Sequence, residues 1–284
     1  ATIRRQRQMC IRDSYNVINV RQYMDSVDTP SEKENSNGAT TNSREVHDVI
    51  IVGAGAAGIG VAISVAHSGV ENFLIVDRKG VGASFAAWPA ETRFITPSFP
   101  SNSIGMLDLN SVAIGVSPAF NMRIEHPTGK EYAEHLQGLA DFFELPIREN
   151  TNILRLEKTD DLFHLETDEG TLFAKKVVWA AGEYQYPSQG AFLGSDLCLH
   201  TSRINSYSNL DGEDYLIIGG YESGIDAAYH LSKQGKSVRV FDQNCPWGEE
   251  SSDPSVALST YTFERIQSIE SVSYTHLTLP TNGC

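Results

Sequence analysis

Two glycine-rich turns, each placed between an apolar strand and a helix, restrict the fold of this chain more than any other feature. The first turn, Gly53–Gly58, follows the β-rich run Val46–Val52. The second turn, Gly219–Gly224, follows Tyr215–Ile218. A strand, a tight turn, a helix and a further strand make a βαβ unit. The chain is therefore predicted to be an α/β protein with two Rossmann-like nucleotide units.

The first turn has the residues that diphosphate binding requires. Gly53 permits the tight turn, Gly55 lets a pyrophosphate approach the backbone, and Gly58 lets helix and strand pack closely. The helix start supplies free N–H groups, and Asp77, which closes the second strand, can accept hydrogen bonds from an adenosine ribose. The alternative is a tight turn without a ligand. The predicted cofactor-binding residues of this unit are Gly53, Gly55, Ala56, Ala57, Gly58, Asp77, Arg78 and Trp88.

The second turn departs from this pattern because Tyr221 stands where the middle glycine is expected. Gly220 can still allow the backbone approach. Asp242 closes the second strand, where it would favour a free 2′-hydroxyl and repel a 2′-phosphate, so NADH is favoured over NADPH. The alternative is a degenerate nucleotide fold kept for its architecture. The predicted cofactor-binding residues of this unit are Gly219, Gly220, Tyr221, Glu222, Ser223, Gly224 and Asp242.

Between the two turns, the pattern predicts one helix, a small antiparallel sheet and a buried strand. Helical spacing of apolar residues indicates a helix over Gly129–Glu144. Short alternating segments at Ile153–Glu157, Leu162–Thr167 and Thr171–Phe173 indicate a β-meander. The apolar run Val177–Trp179 indicates a further strand.

Small residues end that last strand. Ala181 and Gly182 follow Ala180, and Pro187 lies beyond them. Small residues at this point let the chain cross close to a dinucleotide between two domains, so Ala181 and Gly182 are predicted to bind cofactor. By itself, the feature is only a strand-ending turn.

Together, these residues resemble the two-dinucleotide-binding-domain flavoproteins. Gly82–Pro89 is similar to the flavin-side segment of flavin-containing monooxygenases, whereas Gly219–Gly224 is similar to the bacillithiol-disulfide-reductase type. The resemblance implies FAD on the first domain and NADH or NADPH on the second. It implies an enzyme that passes hydride from the nicotinamide to FAD and on to a small acceptor or dioxygen. In this interpretation Trp88 packs against the flavin, with ordinary core packing as the alternative.

Two departures leave the type of reaction open. The monooxygenase signature Phe-x-Gly-x-x-x-His is incomplete, because Phe192–Gly194 is present but His200 comes two residues too late. The Cys-x-x-Cys motif of thioredoxin-reductase-like enzymes is absent from the sequence. Both a reductase and an oxygenase therefore remain possible. A non-catalytic FAD-binding or nucleotide-binding redox-sensing module is the alternative from another class.

Composition excludes several other classes of function. The chain has 22 basic against 36 acidic side chains, a net charge of −14, which argues against nucleic acid as a partner. No apolar run approaches the roughly 18–20 residues of a membrane span. The 4 cysteines show neither zinc-site nor dithiol spacing, so no metal is expected. We predict a cytoplasmic protein that acts on a small molecule, with its oligomeric state undetermined.

Both ends of the chain are interpreted as translated adaptor DNA. The 10 codons that can encode Arg4–Asp13 are the reverse complement of codons that can encode Val272–Thr281, and this DNA resembles a transposon-end sequencing adaptor. Asp25–Glu45 holds almost no large apolar residue and is predicted to be disordered. As a fragment with a truncated second domain, the chain is expected to expose apolar surface at its interrupted sheets, to bind FAD weakly and to turn over poorly. The predicted segments are adaptor-derived tails at 1–14 and 272–284, a leader at 15–45, an FAD domain at 46–196 and a truncated NAD(P) domain at 197–271.

Overall fold

The computed structural model describes residues 45–99, 108–113, 115–183, 186–187, 192–253, 255–269 and 272–276. The predicted tail 1–14 and, apart from Glu45, the predicted leader 15–45 lie outside these residues. The described part contains a six-stranded and a three-stranded sheet, which confirms the predicted α/β class. Within it, no helix is both long and apolar enough to cross a membrane.

The six-stranded sheet combines a parallel and an antiparallel part. Its strands are β1 (Val46–Val52), β2 (Phe73–Val76), β3 (Ile147–Arg148), β4 (Ile153–Thr159), β5 (Leu162–Thr167) and β6 (Gly170–Trp179). They lie in the order β3-β2-β1-β6-β5-β4. Strands β3, β2, β1 and β6 run parallel, while β4, β5 and the start of β6 pair antiparallel. The parallel part is the predicted first nucleotide unit, and the antiparallel part is the predicted β-meander.

The first glycine turn is held by a core between this sheet and two helices. The helices of the first unit are α1 (Ala56–His67), α2 (Ala83–Ala86), α3 (Pro118–Asn121) and α4 (Gly129–Phe142). Ile51 and Ile75 of the sheet pack with Ile59 of α1 and Leu136 of α4, and all of them are fully buried. Burial of each such side chain contributes about 1.5–3 kcal/mol. The turn between β1 and α1 is therefore rigidly supported.

The sequence pattern divides a strand that the structure shows to be continuous. Thr171–Phe173 and Val177–Trp179 are predicted as separate strands, but both lie on β6. The start of the strand, up to Ala174, pairs with β5, whereas the pairing with β1 begins at Phe173 and continues to the end of the strand, so the main partner changes near Ala174. Lys175 forms an ion pair with Asp48 of β1 at 2.6 Å. This charged residue interrupts the apolar pattern where the partner changes.

The second unit is a parallel sheet with two helices on one face. Its elements are β7 (Asp214–Ile218), α5 (Glu222–Lys233), β8 (Ser237–Asp242), α6 (Thr260–Gln267) and β9 (Val272–His276). Ile225 of α5 packs on Val238 and Val240 of β8, and the three side chains are buried. Leu216 and Ile218 of β7 alternate with inward-facing residues and are exposed. The outer side of β7 therefore exposes apolar surface, as expected for the second unit.

Strand β9 lies in the predicted adaptor-derived segment 272–284, which is expected to lie outside the fold. The structure differs, because Val272–His276 pairs with β8 in parallel. Tyr274 packs on Trp247 with ring centroids 5.2 Å apart. The alternation of Val272 and Tyr274 with polar residues fits the open edge of β8. The adaptor origin concerns the coding DNA and stays a prediction.

Candidate functional site

The first glycine turn is packed tightly by backbone. Gly53 has φ +108, a conformation that residues with a side chain rarely adopt. A Cβ on Gly53 would lie 2.3 Å from the carbonyl oxygen of Ala180 and 3.1 Å from Cα of Ala181, where the chain leaves β6. Gly182 follows with φ +81 and is exposed. A Cβ on Gly58 would lie 1.8 Å from the carbonyl oxygen of Gly53, so the turn requires glycine at both positions.

Gly55 differs because the space beside it is open. It is the N-cap of α1 with φ −81, and a Cβ there would have no described heavy atom within 4 Å. Among the described residues no side chain caps α1, and its first intrahelical hydrogen bond runs from Ile59 N to Gly55 O at 2.9 Å. The N–H groups of Ala56, Ala57 and Gly58 therefore lack intrahelical partners. An open cradle at the positive end of a helix dipole fits a dinucleotide diphosphate.

Asp77 closes the first turn with three backbone hydrogen bonds. Its Oδ2 accepts from Ala54 N, and its Oδ1 accepts from Lys79 N and Gly80 N, each at 2.8 Å. The carboxylate thus ties the end of β2 to the glycine turn. Since a carboxylate offers about four acceptor sites, one site remains for a ribose hydroxyl. The predicted Arg78 is exposed directly beside it.

The second turn repeats this geometry. Gly219 has φ +102, and a Cβ on Gly224 would lie 1.9 Å from the carbonyl oxygen of Gly219. Asp242 Oδ2 accepts a hydrogen bond from Gly220 N at 2.7 Å. Its Oδ1 accepts from the N–H groups two and three residues further on, at 2.6 and 3.2 Å. Both units therefore contain a turn that is closed in the same way by an aspartate at the end of the second strand.

Tyr221 adopts the backbone conformation of Gly55. Tyr221 has φ −83 and ψ −171, and Gly55 has φ −81 and ψ −171. The tyrosine therefore replaces the middle glycine without backbone strain, and its side chain lies in the direction that is open at Gly55. Its hydroxyl donates to the carbonyl oxygens of Ser255 and Val256 at 3.0 and 3.1 Å. The second turn is thereby joined to the loop that follows β8.

Trp247 covers Gly220. A Cβ on Gly220 would lie 2.2 Å from the indole ring, so Trp247 occupies that side of the glycine, and the predicted approach of a pyrophosphate to Gly220 stays a prediction. Sequence reasoning missed this contact. The available signal is weak, since it consists of one aromatic residue in the turn Pro246–Gly248 shortly after Asp242.

Glu222 is engaged within the protein. Its carboxylate accepts hydrogen bonds from Ser259 N at 2.6 Å and from the hydroxyl groups of Ser259 and Thr262. Ser259 is the N-cap of α6, so Glu222, predicted to bind cofactor, holds the start of α6 in this structure. Ser223, the next residue, is exposed at the start of α5. Its predicted contact with a cofactor stays a prediction.

Trp88 packs within an aromatic cluster of the first unit. Its ring centroid lies 5.4 Å from that of Phe85 and 5.0 Å from that of Phe94. The Phe94 ring in turn lies 4.4 Å from Tyr132, which is buried. The alternative of ordinary core packing therefore describes the contacts of Trp88, and a contact with flavin stays a prediction.

A model of the protein family described as pyridine nucleotide-disulphide oxidoreductase matches residues 50–281. Among curated proteins, an uncharacterized CzcO-like oxidoreductase of Geobacillus kaustophilus is 29% identical over 67% of this chain and 53% of its own length. The FAD-dependent urate hydroxylase of Xanthomonas campestris is 28% identical over 67% of this chain and 43% of its own length. The chain thus spans about half the length of the curated relatives it matches.

Solved structures share the fold. The bacillithiol disulfide reductase of Staphylococcus aureus matches with a TM-score of 0.62 and 22% identity, over 82% of this chain and 67% of that chain. A flavin-containing monooxygenase of Stenotrophomonas maltophilia matches with a TM-score of 0.61 and 16% identity, over 81% of this chain and 70% of that chain. At these identities the likeness shows the fold alone.

Proposed function

Because the chain belongs to the pyridine nucleotide-disulphide oxidoreductase family, we propose that it is an FAD-dependent oxidoreductase that uses NADH or NADPH. FAD is assigned to the first turn and the nicotinamide to the second. The observation that carries this assignment is the open space beside Gly55. The uncapped N–H groups of α1 begin at Gly55, and the carboxylate of Asp77 is bound to the same turn through Ala54 N. The turn therefore offers a diphosphate contact and a ribose contact to a dinucleotide.

In this proposal the backbone does most of the binding. The N–H groups of Ala56 and Ala57 hold the FAD diphosphate, and the remaining acceptor site of Asp77 takes a ribose hydroxyl. An FAD held there would supply the redox chemistry, taking a hydride from the reduced nicotinamide and transferring the electrons to an acceptor. In the second unit, the Tyr221 side chain fills the direction that is open at Gly55, so the nicotinamide diphosphate is assigned further along the start of α5, at the exposed Ser223. Asp242 accepts from the 2′-hydroxyl in this assignment.

We propose a small molecule or dioxygen as the acceptor, and a cytoplasmic location. The relatives include a hydroxylase and the structural neighbours include a disulfide reductase, so both reactions remain candidates. The contacts of His200 favour neither the hydroxylase reaction nor the disulfide reductase reaction. Its Nδ1 accepts from Ser202 N at 3.2 Å and lies 2.8 Å from Ser202 Oγ, which makes it the N-cap of the short helix Thr201–Arg203.

The first test is reduction of the bound flavin. The purified chain, loaded with FAD, is expected to be yellow and to lose the visible absorbance of its flavin when NADH is added without oxygen. Reoxidation by an organic disulfide then favours the reductase, whereas oxygen uptake coupled to an organic substrate favours the monooxygenase. A yellow protein that NADH and NADPH leave unchanged would support the non-catalytic module. A colourless protein that binds only nicotinamide contradicts the proposal.

The second test concerns the choice of nicotinamide. Like-charge contacts cost several kcal/mol, so kcat/KM for NADH is expected to exceed that for NADPH by about tenfold or more. Asp242→Asn removes the charge, keeps an acceptor oxygen, and should reduce this ratio. Asp77→Asn is the matched control, because it alters the same turn geometry in the other unit and should leave the ratio unchanged. A hundredfold preference for NADPH in the unaltered chain would overturn the assignment of Asp242.

A further inference from the structure

Glu91 joins the two nucleotide units. It lies in the first unit after α2, and its carboxylate accepts four hydrogen bonds from the second unit. The donors are Ser206 Oγ at 2.6 Å, Tyr207 N at 3.0 Å, Ser208 N at 3.2 Å and Ser208 Oγ at 2.9 Å. They lie at the start of the short helix Tyr207–Asn209, whose Tyr207 is 1% exposed. A carboxylate of the first unit thus caps a helix of the second.

The charge of Glu91 strengthens this contact. Burial by itself would raise the pKa of Glu91, but the hydrogen bonds from Ser206, Tyr207 and Ser208 outweigh it and lower the pKa to about 2. The carboxylate is therefore ionised at neutral pH. Hydrogen bonds to an ionised acceptor are roughly twice as strong as those between neutral groups.

Thr92 makes the second contact. Its hydroxyl donates to Oδ2 of Asp226 in α5 at 2.6 Å. Asp226 is 6% exposed, and its Oδ1 pairs with Arg265 of α6 and lies 3.4 Å from Nε2 of His230. One buried carboxylate therefore connects the loop of the first unit with both helices of the second.

An aromatic stack makes the third contact. The His126 ring of the first unit lies over Tyr261 of α6, with centroids 3.9 Å apart and an angle of 15° between the planes. The Arg265 guanidinium lies 5.0 Å from the centre of the same tyrosine ring. Arg265 is the partner of Asp226, so the second and third contacts share one side chain.

We infer that these contacts form an interunit clamp, defined by Glu91, Thr92, His126 and their partners, that fixes the distance between the two nucleotide sites. Asp226 lies four residues after Glu222, which is about one helical turn from the second glycine turn. The clamp thus acts on the helix that begins at that turn. This inference rests on the proposed function. In it, Glu91 and Asp226 are positioning residues for electron transfer between the two nucleotide sites. A displacement of about 1 Å between reacting groups can lower the rate about a hundredfold.

The test uses Glu91→Gln in the full chain, with Glu213→Gln as control. Glu213 bonds Lys236 at 2.9 Å within the second unit alone, so the control removes a carboxylate without touching the clamp. In E91Q, hydrogen exchange at the Tyr207 amide is expected to be about tenfold faster, since hydrogen bonds to a charged group are lost. The rate constant for flavin reduction by NADH should fall about tenfold or more, while the Kd for NADH changes little. Thr92→Val, which keeps the side-chain shape, should lower the same rate constant by a smaller factor.

Each result has a separate meaning. If E91Q exchanges and reduces flavin like E213Q, the clamp is wrong. If exchange accelerates but the reduction rate constant is unchanged, the contact exists and the positioning role is wrong. If NADH does not reduce the flavin of the unaltered chain, the proposed function is wrong. Amide exchange in E91Q tests the clamp without any flavin chemistry, so unchanged exchange at Tyr207 would contradict the clamp in that case too.

Discussion

Replacing Gly55 with alanine is expected to weaken FAD binding about a hundredfold or more. It should change the free energy of unfolding of the apoprotein by no more than about 1 kcal/mol, the usual cost of an N-cap glycine-to-alanine change. The fold tolerates the change, because φ is −81 and a Cβ meets no described atom within 4 Å. Tyr221 already occupies the same backbone conformation in the second unit. The added methyl group instead enters the space that the diphosphate needs, and the Kd for FAD should rise about a hundredfold or more, or about 2.7 kcal/mol.

Gly58→Ala provides the contrasting variant. Its Cβ would lie 1.8 Å from the carbonyl oxygen of Gly53, so the clash is with backbone and the apoprotein should lose about 3 kcal/mol or more through overpacking. Urea unfolding of the apoprotein and titration with FAD, followed by the quenching of flavin fluorescence, separate the two effects. If G55A binds FAD as tightly as the unaltered chain, the open space beside Gly55 is not the diphosphate site.

The glycine turns could be predicted from sequence because their requirements are local. A positive φ at Gly53 and a close backbone approach at Gly58 are needs that only glycine meets, and their spacing fixes the turn between β1 and α1. Asp77 and Asp242 follow from the same logic, since the end of the second strand of a βαβ unit adjoins the turn. Local residue chemistry therefore predicts both glycine turns and the aspartates that close them, whereas cofactor binding at the turns stays a prediction.

The contacts that join distant segments could not be predicted. Nothing in the sequence around Glu91 indicates that it caps a helix more than a hundred residues later, and its acidity alone is typical of a solvated loop. Glu222 looks like a cofactor contact by its place in the turn, but it holds the start of α6 through Ser259. The contact of Trp247 with Gly220 is a third contact that the sequence does not predict. Such partners depend on the tertiary arrangement, which periodicity and motif spacing do not encode.

Asp226→Ala is expected to lower the free energy of unfolding by about 3–5 kcal/mol, because it leaves a buried charge without its partner. The side chains of Asp226 and Arg265 are 8% and 11% exposed, so the Arg265 guanidinium has little contact with solvent to offset the loss of the carboxylate. Thr92 and His230 lose an acceptor at the same time. The loss should appear in urea unfolding at neutral pH as a lower midpoint with an unchanged slope.

The pH dependence of this loss follows from the pKa of Asp226. Burial raises that pKa, but the hydrogen bonds from His230 and Thr92 and the charge and hydrogen bond of Arg265 outweigh it, so the pKa is lowered in the folded state. A carboxyl group whose pKa is lowered by folding stabilises the protein above its unfolded pKa and loses that contribution as the pH falls through the folded value. The difference in stability between the unaltered chain and Asp226→Asn should therefore shrink on acidification.

A double variant distinguishes the lost pair from a general disturbance of α5. Asp226→Ala combined with Arg265→Met removes both charges, and replacing a buried ion pair with apolar groups is often close to neutral. The double variant should therefore recover most of the stability that Asp226→Ala loses, which gives a coupling energy of about 2 kcal/mol or more between residues in direct contact. Lys236→Met serves as the control for the cation, because Lys236 pairs only with the exposed Glu213 among the described acidic groups. If Asp226→Ala unfolds within about 1 kcal/mol of the unaltered chain, or if the double variant is as unstable as the sum of the single ones, then the Asp226–Arg265 pair does not hold the two helices and the loop of the first unit together.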